Sequence, residues 1–94
     1  MDIDRAALLI KAIVSGQSLI IGPIAIEQAN KVPGIQVSSD LSVVKVSEAG
    51  KEVLEKLVRQ YERLFGRASV EACRDTVRES LPPVSEKDLP DILK

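Results

Sequence analysis

The sequence predicts a helix-dominated α+β fold with about four helices and one β-hairpin, at residues 35–46, between the second and third helices. Two segments in the second half of the chain repeat apolar residues every three or four positions, which is typical of amphipathic helices. A run rich in β-branched residues comes before them and favours strands. Gly or Pro marks most of the boundaries between these segments.

The first helix is expected to begin at Asp2 or Asp4, either of which can cap it, and to run to about Ser15. Apolar residues cover nearly its whole circumference, which indicates a buried, central helix. Gly16 is placed to end it. Residues 18–21 stay open between a short strand and the start of another helix.

A second helix is expected from Pro23 to Lys31, because proline suits the first helical position. The sequence Val-Pro-Gly at 32–34 should stop it. Residues 35–46 then contain five β-branched residues, and Ser-Ser-Asp at 38–40 supplies turn chemistry between them. This pattern predicts the hairpin.

The third helix is expected from Ala49 to Phe65, with Ser47 as its cap and Gly66 at its end. A fourth helix should follow from Ala68 to Ser80. Two consecutive prolines come soon after it and prevent its continuation. We expect residues 1–84 to form a single globular domain and residues 85–94 to form a short C-terminal tail.

The composition narrows the classes of function. The chain has 94 residues, a net charge of −1 and no histidine, and its acidic and basic residues are interleaved. A nucleic-acid-binding domain usually has a basic face, so a nucleic-acid partner is not expected. Without histidine, the commonest general base and metal ligand is missing. We therefore expect no enzyme activity, no cofactor and no metal site.

The location expected from the sequence is cytoplasmic, without a membrane partner. The N-terminus does not have the pattern of a signal peptide, and residues 8–26, though nearly uncharged, are broken by glycine and by Gly22-Pro23. The single cysteine, Cys73, cannot form an intramolecular disulfide. It lies on the apolar side of the fourth helix between Val70 and Val77, so a buried structural thiol is expected.

The third and fourth helices supply the predicted interaction surface. The third helix has a stripe of large apolar residues that a short chain is expected to cover only in part, which favours a two-fold homodimer. The fourth helix has a row of arginines beside a row of acids, which could contact a second subunit. The candidate interface residues are Leu54, Leu57, Val58, Tyr61, Leu64, Phe65, Arg74 and Arg78.

One segment resembles a known family. In residues 43–65, a β-branched run leads into Ser47, Gly50, Lys51 and Glu52 and then into a long amphipathic helix. This resembles the end of the wing and the dimerisation helix of winged-helix regulators of the MarR and PadR type. The resemblance implies a DNA-binding regulator whose recognition helix precedes the wing. Only two helices fit before the hairpin here, and the second has Glu27 and a single base.

Two functions therefore stay open at the level of sequence. The first is a small non-catalytic interaction or oligomerisation module, such as a regulatory subunit, that forms a homo-oligomer or binds another protein. The alternative is a divergent winged-helix-like DNA-binding transcriptional regulator. Steep salt dependence of DNA affinity would distinguish the second from the first.

Overall fold

The computed structural model describes residues 1–94 and confirms the helix-dominated α+β fold, with four helices and an antiparallel hairpin between the second and third. The elements are α1 (Ile3–Ile21), α2 (Ile24–Asn30), β1 (Ile35–Val37), β2 (Val44–Val46), α3 (Gly50–Phe65) and α4 (Arg67–Glu79). Two short 3₁₀ turns follow, at Glu86–Asp88 and Asp91–Leu93.

The first helix is longer than the sequence predicts. Its start is as expected, because the Asp2 side chain caps it by accepting a 2.7 Å hydrogen bond from the backbone N–H of Arg5. Gly16 does not end it, and the helix continues to Gly22, whose φ of 75° suits glycine. The second half of α1 packs against α4, and this tertiary contact outweighs the weak helix propensity of one glycine. Residues 18–21 are therefore helical.

The hairpin is held to α2 by one asparagine. Strands β1 and β2 pair antiparallel, with Ile35 opposite Val46 and Val37 opposite Val44. The Asn30 side chain donates to the Val37 carbonyl at 2.9 Å and accepts from the Val37 N–H at 2.7 Å. A two-stranded hairpin is marginal alone in water, so this clamp and the burial of Ile35 and Val46 stabilise it.

The helices α3 and α4 lie within one residue of their predicted limits. The expected cap at Ser47 is wrong: Ala49 precedes α3 without a capping side chain, and the Ser47 N–H donates to the Gly34 carbonyl instead. Ser47 therefore continues the backbone pairing of the hairpin and does not cap α3. Gly66, with a φ of 78°, separates α3 from α4 directly.

One hydrophobic core lies between α1, α3 and α4, and α2, the hairpin and the C-terminal segment cover its edges. The segment 85–94, which the sequence analysis sets apart as a tail, contributes Leu89 and Leu93 to this core. It is also held at its backbone, because the Arg74 guanidinium donates to the Ile92 carbonyl at 3.0 Å. The amino terminus of Met1 pairs with a carboxylate of the same segment at 3.1 Å.

Candidate functional site

Most of the apolar stripe predicted as an interface is closed within one chain. Four of its six members have no exposed surface: Leu54, Leu57, Val58 and Tyr61. The stripe is closed along most of its length because α1, α2, α4 and the last 3₁₀ turn all pack on α3. Only the end of the stripe reaches the surface, where Leu64 is 48% exposed and Phe65 is half-buried.

The two candidate arginines of α4 differ in how they are held. Arg74 is fixed by its own chain, through a 2.7 Å ion pair with Glu71 and the hydrogen bond to the Ile92 carbonyl. Arg78 is exposed and pairs with Asp75 at 3.2 Å. Exposed pairs of this kind contribute little to stability. Arg74 therefore stabilises the fold, and Arg78 is the more exposed of the two arginines.

The Cys73 thiol is buried as expected, between α4 and α1. The buried amide of Gln17 donates to its sulfur at 3.5 Å and to the Ser69 carbonyl at 3.1 Å. Burial raises the pKa of Cys73 to about 12, so the thiol is protonated at neutral pH. A protonated, inaccessible thiol is a poor nucleophile, and its chemical role is in packing.

Two of the most exposed large apolar side chains of the molecule lie on one face of α1. Leu8 is 61% exposed and Leu19 is 89% exposed, and Ala12 and Ser15 lie exposed between them. The spacing of these four residues is four, three and four, so they form one straight seam on the side of the helix that faces away from the core. We call Leu8, Ala12, Ser15 and Leu19 the α1 face.

A groove runs beside the α1 face, at its boundary with α4. Its first part, of about 240 Å³, is lined by Arg5, Leu8, Leu9, Ala12, Ser80 and Leu81. Its second part, of about 390 Å³, is lined by Ala12, Ser15, Gly16, Leu19, Thr76, Glu79 and Ser80. The two parts share Ala12 and Ser80 and are therefore continuous. Leu81, 84% exposed, forms the far wall of the first part.

The stretch of chain around Leu19 is uncharged, and the nearest charge in the groove is that of Glu79 on α4. No charged residue occurs between Lys11 and Glu27, and within this interval Ile20 and Ile24 are exposed as well. Burying a large aliphatic side chain contributes roughly 1.5–3 kcal/mol, so leaving several of them in water is unfavourable. Single exposed apolar residues are ordinary, but an aligned and uncharged set is typical of a contact surface.

The α1 face was not expected from the sequence, because the first helix was predicted to end at about Ser15. With that boundary, Leu19 is not on the same helix as Leu8 and the seam does not exist. The signal that could have found it is the uncharged interval between Lys11 and Glu27, read together with the four-three-four spacing. That interval alone does not show which face of α1 is buried, because both faces of the helix are apolar there.

Two other concave regions are polar or mixed. One, of about 860 Å³, lies between the start of α1 and the hairpin and is lined by residues of both signs and both polarities. The other, of about 470 Å³, gathers bases of α3, but Arg59 lies within 4 Å of acids on both sides, at 3.6 Å from Glu55 and 3.8 Å from Glu62. Lys56 pairs with Glu48 at 3.0 Å. Neither region gathers groups for a recognisable reaction.

Three findings concern the chain as a whole. No protein-family model, curated protein or solved structure matches it. None of its helices combines the length and the apolar character that crossing a membrane requires. No group of three or more acidic or cysteine side chains is arranged to hold a metal ion.

Proposed function

We propose that this chain is a small non-catalytic interaction module that binds a protein partner through the α1 face. The observation that carries the proposal is the position of Leu19, which is 89% exposed in an uncharged stretch of the longest helix of the fold. The fold buries a single cluster of 20 hydrophobic residues, and the leucines of the α1 face are not among them.

The rigidity of α1 supports the same proposal. The helix contacts α2, α3, α4 and β2, and its opposite side contributes Leu9, Ile10, Ile13 and Val14 to the core. A face that is fixed from behind loses little conformational freedom when a partner covers it. The chemistry of the surface supports a protein partner, because apolar seams on a helix are matched by apolar seams on another helix.

Site-specific photo-crosslinking in the cells that produce the protein tests this function. A photoreactive phenylalanine analogue replaces Leu19 in one variant and Leu64, the exposed leucine of α3, in the matched control. We expect a discrete crosslinked product from position 19, lost when Leu8→Glu is added, and no such product from position 64. Absence of a product at position 19, or equal products at both positions, would reject the proposal.

A further inference from the structure

We infer that the occupant of the α1 face is the α1 face of a second copy of this chain, with the two helices antiparallel about a two-fold axis. This inference rests on the proposed function and names its partner. It follows from three properties of the face: its symmetry along the helix, the fit between a protruding and a recessed part, and the distribution of charge.

The seam is symmetric about its own midpoint. Leu8 and Leu19 lie at equal distances from the point between Ala12 and Ser15, about 16 Å apart along the helix at 1.5 Å per residue. When a second copy is laid antiparallel across that point, Leu19 of each copy meets Leu8 of the other. Ala12 then meets Ser15, and these small side chains let the two backbones approach closely at the centre.

The protruding and recessed parts of the face are complementary. Leu19 projects into solvent, and the 240 Å³ depression between Leu8 and Leu81 is open and largely apolar. In the antiparallel pair, Leu19 of one copy lies over the depression of the other, and the two-fold axis makes this contact twice. The exposed surfaces of Leu8, Leu19 and Leu81 are thereby removed from water together.

The charges of α1 favour the antiparallel direction. Asp4, Arg5 and Lys11 all lie in its first half, and its second half has none. A parallel pair would bring Lys11 beside Lys11 of the second copy, which is unfavourable. The antiparallel pair instead separates the two Lys11 residues by five positions, about 7.5 Å along the axis. It places Arg5 opposite Gly22, at the last turn of the other helix, where exposed carbonyls carry partial negative charge and no basic residue is present.

Disulfide trapping between two purified variants tests the pairing. Leu8→Cys and Leu19→Cys proteins with tags of different mass are mixed and oxidised, and Leu8→Cys mixed with Leu64→Cys is the matched control. All three positions are exposed, so folding should be preserved, and the native Cys73 is buried in every sample. In the mixed dimer of Leu8→Cys and Leu19→Cys, the second contact of the two-fold pair is still formed by the unsubstituted Leu19 and Leu8.

We expect the mixed disulfide between positions 8 and 19 to form at least tenfold faster than the control product or either homodimer. Faster homodimers of Leu8→Cys would show a parallel pair and overturn the inference. A mixed product no faster than the control would also overturn it. If the mixed product is no faster than the control, a crosslink in cells from position 19 to a different protein would still support the interaction module. The absence of any crosslink would reject both the interaction module and the antiparallel α1 pair.

Discussion

The Tyr61 hydroxyl donates a 2.7 Å hydrogen bond to the backbone carbonyl of Ala25, and both residues are completely buried. This bond ties the second half of α3 to the first turn of α2. Tyr61, predicted from sequence to face a second subunit, is therefore part of the interior of one chain, and the surface that we propose for a partner lies on the far side of α1.

Replacing Tyr61 with Phe should lower the free energy of unfolding by about 1–2 kcal/mol, because the ring stays packed while the buried carbonyl loses a donor. Urea unfolding measures this. Tyr61→Ala should cost more, about 3–5 kcal/mol, because it also leaves a cavity. A Tyr61→Phe protein as stable as the wild type would show that the hydrogen bond contributes nothing net.

The contact between Gly50 and Ala6 gives a second prediction. A Cβ atom added at Gly50 would lie 2.9 Å from the Cβ of Ala6, which is too close for two packed helices. Gly50→Ala should therefore destabilise the fold by about 1–3 kcal/mol, although alanine normally favours a helix. In an Ala6→Gly background the same substitution should cost much less. An equal cost in both backgrounds would mean that the clash is not the cause.

Alkaline pH should weaken the fold through Cys73. Its pKa rises from an ordinary 9.0 to about 12 in the folded chain because it is buried. The folded state therefore keeps a proton that the unfolded chain releases above pH 9, so stability is full below pH 9 and falls between pH 9 and 12. Cys73→Ala lacks this dependence.

The comparison that isolates Cys73 is made at two pH values. At pH 8, Cys73→Ala should be less stable than the wild type by about 1 kcal/mol, from lost packing. At pH 10 the wild type should lose about 1.4 kcal/mol relative to the variant, because pH 10 is one unit above the ordinary pKa of the thiol, so the difference should vanish or reverse slightly. Denaturant unfolding at both values measures it. A constant or growing difference would place the thiol in contact with water.

Duplex DNA should bind weakly. The groove that gathers bases on α3 also holds Glu62, and two of its bases are paired with acids. The helix before the hairpin, α2, includes Glu27 and no base. A titration with duplex DNA at two salt concentrations should give low affinity with a shallow salt dependence. Tight binding that weakens steeply with salt would instead support the winged-helix alternative.

The sequence predicted the elements that local signals define. Apolar periodicity together with Gly66 located α3 and α4, and the β-branched run located the hairpin. The end of α1 was not predictable in this way. The propensity of Gly16 is a local property, whereas α1 continues past it against α4, so closely that a Cβ at position 16 would lie 3.3 Å from the hydroxyl of Thr76, sixty residues further along the chain.

The surface that we propose for a partner differs from the one expected from the sequence for a related reason. Whether the stripe of α3 is open depends on every element that packs on it, and Leu93 of the C-terminal segment is among the residues that close the core there. Because residues 85–94 were predicted to be a tail, the packing of Leu93 on the core was not expected. Apart from Leu64 at the end of α3, the exposed leucines are Leu8 and Leu19 of α1 and their neighbour Leu81.

The most direct measurement is sedimentation velocity on the wild type, Leu19→Glu and Leu64→Glu over a range of micromolar concentrations. Both substitutions place the same charge at an exposed leucine, one on α1 and one on α3. We predict that the wild type and Leu64→Glu shift from monomer to dimer as concentration rises, and that Leu19→Glu stays monomeric, because pairing would bury its carboxylate. A wild type that stays monomeric, or a dimer lost in Leu64→Glu and kept in Leu19→Glu, would contradict the antiparallel α1 pair.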